Sequence, residues 1–206
     1  MNSNLRASSQ LGALIKRFDS TIDGVFDRYR ALPACYTIAS LISILGDFGF
    51  IWSLIATVEA IGSRSSLKRS TVKLAASGVS AFVVNASLKA AFKRDRPSTD
   101  EKRNSSLPRR RPTSTSFPSG HSLAAFSSAV VLSDSPGETV GFLCIAVLVG
   151  TSRIYLQDHY PSDVAGGAVI GCTLGFIVRR LLKRRLLGQR FEPAGIRSPS
   201  SVLKLP

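Results

Sequence analysis

Acidic residues, cysteine and histidine are all scarce in this chain. Its 206 residues hold 13 Asp and Glu against 27 Lys and Arg, a formal charge of +14. A deficit of that size directs attention to an anionic partner: nucleic acid, anionic lipid or a phosphorylated substrate. Cys35, Cys144 and Cys172 are far apart, each in an apolar run. An odd, scattered set excludes a disulfide scaffold and a cysteine-based zinc site. Two histidines, His121 and His159, exclude a histidine-rich metal cluster. No alternating strand pattern of useful length and no internal repeat is present. With 44% hydrophobic residues the chain is too apolar for disorder.

Long hydrophobic runs are missing too. The uncharged apolar runs are 31–46, 48–58, 74–88, 139–152 and 164–178, each shorter than the roughly 18 residues that mark a membrane helix by themselves. Two features reduce the force of that absence. Asp47 and Glu59 merely interrupt one apolar stretch from Ala31 to Gly62. Lys73, Lys89 and Arg153 sit at run ends, where they reach water or a polar site. Counting such ends, spans are predicted near 46–62, 71–92, 119–134, 138–155 and 162–182, with 31–45 a sixth, short or re-entrant element. Gly167, Gly171 and Gly175 give the last span a doubled small-xxx-small spacing, which lets helix backbones approach closely in lipid.

Ahead of these spans, Leu11, Leu14, Ile15, Phe18, Ile22, Val25, Phe26 and Tyr29 follow the i, i+3, i+4, i+7 pattern of one helix face. Such a helix lies in a membrane interface or packs on a core. Charges interleaved among its apolar residues argue against a cleavable signal peptide. The expected fold is therefore all-α: a polytopic membrane bundle of five to six helices with an N-terminal interfacial amphipathic helix. Residues 1–30 form the tail and that helix, 31–185 the membrane domain and 186–206 a polar C-terminal tail. Residues 93–116 form a long polar connection between spans.

Three clusters carry chemistry, all at span ends on one side of the predicted bundle. Lys89 and Arg96 precede Pro97. Seven positions on a helix are two turns, so the two cations share a face if the helix persists. They suit a phosphate, Arg as a planar fork and Lys as a point charge, or else snorkel to headgroups. Pro118-Ser119-Gly120-His121 precedes an apolar helix. Its free N–H groups and the positive end of its dipole form an anion site, with His121 beside it. Ser152-Arg153 is followed by His159 and Asp163. A carboxylate four residues on fixes one ring nitrogen and leaves the other with the lone pair a nucleophile needs. Each cluster alone also fits a structural role; their co-occurrence does not.

Together, Lys89-x6-Arg96-Pro97, Pro118-Ser119-Gly120-His121 and Ser152-Arg153-x5-His159-x3-Asp163 resemble the three-part signature of the type 2 phosphatidic acid phosphatase superfamily. That family includes bacterial lipid phosphatases and vanadium-dependent haloperoxidases. Gly46–Trp52 resembles the start of the first span in its small bacterial members. The resemblance implies that His159 is a nucleophile forming a phosphohistidine and that Asp163 orients its ring. It implies that His121 protonates the leaving oxygen and then activates water, while Lys89, Arg96, Arg153, Ser119 and Gly120 hold the phosphoryl oxygens. No cofactor and no metal is expected, because the motifs hold no acidic cluster for Mg²⁺. Asp158 departs from the pattern: a small or apolar residue is expected before His159. It is expected to raise the His159 pKa or to bind a substrate group.

The substrate implied is a phosphorylated lipid at the membrane, with polyprenyl-linked phosphates such as undecaprenyl diphosphate or phosphorylated decaprenyl-phosphoryl-ribose favoured over phosphatidic acid or phosphatidylglycerol phosphate. A haloperoxidase and a non-catalytic membrane scaffold are the remote alternatives. No nucleic-acid partner is expected; a homo-oligomer is compatible with the reading. Basic residues balance between the two sides. Discounting those wanted for chemistry puts the 62–70 loop and the C-terminus in the cytoplasm, and the active site on the extracytoplasmic face of the cell membrane.

Overall fold

A computed structural model describes residues 3–61, 67–97 and 113–188. Residues 189–206 of the predicted C-terminal tail and most of the basic 93–111 loop lie outside the described residues, while 186–188, predicted as tail, continue the last helix. Those described fold into α1 (Ser3–Arg30), α2 (Pro33–Gly46), a 3₁₀ turn (Asp47–Gly49), α3 (Phe50–Ile61), α4 (Leu67–Ala91), α5 (Gly120–Leu132), α6 (Pro136–Tyr155) and α7 (Pro161–Gly188), with no strand among them.

Helix starts follow local chemistry. Ser135 caps α6 in a reciprocal capping box with Glu138, and Pro136 occupies the first turn, where no N–H is needed. Ser119 caps α5, its hydroxyl accepting from the Ser122 N–H. Gly49 takes φ +71 at the turn between α2 and α3, a left-handed conformation that glycine adopts without steric cost.

Among the described residues, three helices are long and apolar enough to cross a membrane: Leu67–Ala91, Pro136–Tyr155 and the Pro161–Arg185 part of α7. The predicted span 46–62 is not one straight helix. α2 and α3 meet at a 64° bend and give a fourth crossing only as a broken pair. The predicted span 119–134 is the 13-residue α5, about 20 Å long at 1.5 Å per residue. α5 is also the packed centre of the bundle. Leu123, Ala125, Ala129, Val130 and Leu132 are almost wholly inaccessible.

α7 lies directly on α5. A methyl at Gly167 would sit 2.7 Å from the Ser119 carbonyl oxygen, and one at Gly171 would overlap the Leu123 carbonyl. The small-residue spacing thus sets a backbone-to-backbone approach. Around this pair, Trp52 and Ala56 of α3 and Ala146 and Val149 of α6 complete the core.

α1 inverts the usual burial pattern. Leu11, Leu14, Phe18 and Val25 are exposed, while Asp19 and Arg30 are buried.

Candidate active site

A cavity of about 690 Å³ opens among α4, α5, α6 and the 3₁₀ turn, and Lys89, Arg96, Gly120, His121, Arg153 and His159 line it. Its charged wall is cationic: among the described residues that line it, none is Asp or Glu. Among the described residues, no group of three or more His, Cys, Asp or Glu is placed to hold a metal ion.

The α4 helix stops at Ala91, before Pro97, so Lys89 and Arg96 do not meet through helical register. The chain after α4 is instead pinned to the segment before α5: the Ser116 N–H donates to the Arg94 carbonyl at 2.8 Å. Lys89 and Arg96 converge on that segment. Lys89 Nζ donates to Ser114 Oγ at 2.8 Å and to the Thr115 carbonyl at 3.0 Å. Arg96 Nε donates to the Ser114 carbonyl at 2.8 Å, and its Nη1 to the Asp158 carbonyl at 2.7 Å.

Arg96 Nη1 also lies 3.2 Å from His159 Nε2. A guanidinium only donates, so Nε2 presents its lone pair there and the ring proton resides on Nδ1. Nδ1 faces Asp163 Oδ2 at 3.8 Å, beyond hydrogen-bond reach but close enough to orient the ring. Asp163 is held from three sides. It accepts from Ser116 Oγ, from the Tyr160 N–H at 2.9 Å and from Arg94 Nη1 at 2.6 Å. Burial lowers the His159 pKa to about 4; the Asp163 carboxylate opposes that shift, and the Arg96 and Arg153 charges add to it. The ring is therefore neutral and nucleophilic at physiological pH. Arg96, half-buried, sits below the ordinary guanidinium value because of desolvation.

His121 Nε2 meets the Asp47 carboxylate. A carboxylate only accepts, so this nitrogen carries the proton. Gly120 stands against Asn85 of α4, whose Nδ2 would lie 3.0 Å from an added methyl. Arg153, 2% exposed, donates to Ser43 Oγ. It also pairs with Asp158 through Nη2 and Oδ2 at 2.7 Å. Asp158 thus serves Arg153 and does not raise the His159 pKa, which moves the other way. Ser119 is not brought to the cavity wall. It is fully buried as the cap of α5, and its N–H donates to the Asp163 carbonyl at 3.1 Å.

Sequence reasoning did not find Arg94, Ser116 or Asp47 as parts of the site. Only Asp47 left a signal, as the acid interrupting an apolar stretch. Arg94 was hidden inside a basic run, and Ser116 inside a polar loop.

The family model described as PAP2 superfamily matches residues 70–187, more than half the chain and all three parts of the signature. The chain belongs to the PAP2 superfamily. It is 32% identical over 152 residues to the decaprenylphosphoryl-5-phosphoribose phosphatase of Mycobacterium tuberculosis, covering 71% of this chain and 80% of that protein. The crystal structure of Aquifex aeolicus LpxE superposes with a TM-score of 0.59 at 28% identity, covering 76% of this chain and 93% of that one. A Bacillus subtilis structure titled as the first transmembrane PAP2 type phosphatidylglycerolphosphate phosphatase shares the fold, with a TM-score of 0.57 at 24% identity over 85% of this chain and 96% of that one. This PAP2 protein is a membrane lipid phosphatase.

Proposed function

We propose that this enzyme hydrolyses a phosphate ester or anhydride on a polyprenyl-linked lipid through a phosphohistidine at His159. The observation that carries the chemistry is the approach of His159 Nε2 to Arg96 Nη1 at 3.2 Å on a cationic cavity wall. A phosphoryl group bound by Arg96, Lys89 and Arg153 would bring its phosphorus to that lone pair. Nε2 forms a bond to phosphorus as the bond to the leaving oxygen breaks, and His121 in its protonated, imidazolium form gives the leaving oxygen a proton and becomes neutral. His121, now a base, takes a proton from water, which attacks the phosphohistidine. Inorganic phosphate leaves and His159 is restored. Three cations offset charge on the equatorial oxygens, where phosphoryl transfer needs it. Gly120 at the mouth of α5 adds backbone N–H groups and the positive end of a helix dipole. Asp163 keeps the proton on Nδ1 and offsets the positive ring charge of the intermediate.

The polyprenyl assignment rests on the mycobacterial relative, which matches most of both chains. We place the site at the extracytoplasmic face of the cell membrane, with the exposed apolar residues of α1 lying in the interface beside it. The test is phosphate release by purified enzyme from decaprenylphosphoryl-5-phosphoribose, undecaprenyl diphosphate, phosphatidic acid and phosphatidylglycerol phosphate, with His159→Ala beside each. The reading expects the highest kcat/KM on a polyprenyl substrate and no release by the variant. Preference for a glycerolipid overturns the substrate assignment. Release by the variant overturns the mechanism.

A further inference from the structure

The segment carrying His159 is short: Leu156 to Tyr160, between the end of α6 and the start of α7. A nucleophile on so short a connection is placed by whatever fixes its two ends. α1 reaches both, and it lies outside the region the family model matches.

At the start of α7, Asp19 is 5% exposed. Its Oδ1 accepts from the Ser162 N–H at 2.8 Å, and its Oδ2 from Ser162 Oγ at 2.9 Å. An acid from a different helix thus caps α7, satisfying an N–H that has no intrahelical partner. Asp19 Oδ2 also accepts from Arg94 Nη2 at 2.7 Å, while Arg94 Nη1 donates to Asp163 Oδ1 at 2.6 Å. Arg94 lies over the Tyr160 ring at 4.1 Å. Asp19 is therefore one residue removed from the carboxylate that orients His159.

At the end of α6, Arg30 is equally buried. Its Nε donates to the Tyr155 carbonyl at 3.1 Å and its Nη2 to the Ile154 carbonyl at 3.0 Å. Those carbonyls belong to the last turn of α6, where intrahelical donors run out; that of Ile154 also accepts from the Gln157 N–H at 3.0 Å. Asp23 and Asp27 hold the guanidinium in place.

We propose that α1 is a brace for the catalytic segment, with Asp19 and Arg30 as positioning residues that fix the two ends of the connection carrying His159. The inference rests on His159 being the nucleophile. Neither residue lines the cavity, so neither contacts substrate there. Losing either one lets the imidazole drift from the line of attack, and small misplacements are costly: about a hundredfold in rate for roughly 1 Å.

The experiment compares wild type, Asp19→Asn, Asp19→Glu, Arg30→Gln and His159→Ala in the same detergent. Steady-state phosphate release gives kcat and KM, and hydrogen–deuterium exchange follows peptides spanning 154–163. The brace predicts that Asp19→Asn and Arg30→Gln lower kcat about ten- to a hundredfold with KM within about twofold. Both variants exchange faster in 154–163 while the peptides of α5 are unchanged. Asp19→Glu recovers part of the lost kcat. A general loss of packing would instead speed exchange in α5 as well and would raise KM, and that outcome overturns the proposal. So does wild-type exchange in 154–163 for both variants, whatever the activity. If His159→Ala keeps full activity, the nucleophile assignment has failed; the exchange data still report whether α1 holds the segment.

Discussion

Replacing Arg96 with lysine keeps the charge and removes the fork, which makes it a sharp test of geometry against charge alone. The Arg96 guanidinium joins three parts of the site. Nε reaches the Ser114 carbonyl at 2.8 Å, and Nη1 reaches the Asp158 carbonyl at 2.7 Å and His159 Nε2 at 3.2 Å. A lysine ammonium is one nitrogen and cannot span the Ser114 and Asp158 carbonyls while also facing the phosphoryl group. At least one directed donor to the transition state is lost. Losing one such donor costs about 10²- to 10³-fold in kcat, roughly 2.7–4 kcal/mol. Arg96→Lys should therefore lose most of what Arg96→Ala loses, despite its intact charge. The assay is initial-rate phosphate release from a lipid substrate in mixed micelles, across a range of substrate mole fractions, with folding checked by thermal unfolding. An Arg96→Lys enzyme within about threefold of wild-type kcat would refute the idea that the fork matters and leave only a cationic patch.

Gly171→Ala would drive a methyl into the Leu123 carbonyl of α5, so thermal unfolding should show a loss of about 1–3 kcal/mol; an unchanged Tm would mean that the α5–α7 approach is looser than described. Because burial holds His159 near a pKa of about 4, the nucleophile is still unprotonated well below pH 6.5 and is lost as pH falls through about 4. The acid limb of kcat/KM should lie correspondingly low, and a His159-dependent limb at 6.5 or above would contradict that burial. Vanadate should inhibit by occupying the phosphoryl position on the cationic wall, and EDTA should leave phosphate release unchanged. Insensitivity to vanadate, or strict Mg²⁺ dependence, would count against the site.

Much of the site was legible because three motifs bring scarce residue types to span ends: both histidines, and Arg153 as the sole arginine between 139 and 178. What joins them was not. Lys89 and Arg96 were expected to meet by helical register, yet α4 ends at Ala91, and the two side chains share acceptors at Ser114 and Thr115 across a tertiary contact. Periodicity describes one element at a time and is silent on such pairings. The number of spans is not read from composition for a related reason. A short apolar helix at the centre of a bundle and a membrane-crossing helix share a composition, and only packing separates them. In α1 the apolar face was visible in sequence, whereas the functional interest of Asp19 and Arg30 was not, since a charge on the polar face of an amphipathic helix ordinarily meets water. Ser119 shows the opposite failure: its motif position suggested a phosphate contact, while in the fold its hydroxyl caps α5.

The most direct measurement is rapid-quench mass spectrometry of the wild-type enzyme during turnover, quenched in alkali to preserve an acid-labile phosphoramidate. The account predicts one added phosphoryl group on the peptide containing His159, appearing and decaying at rates compatible with kcat. Turnover with no phosphorylated peptide, or with the phosphoryl group on a different residue, would contradict it.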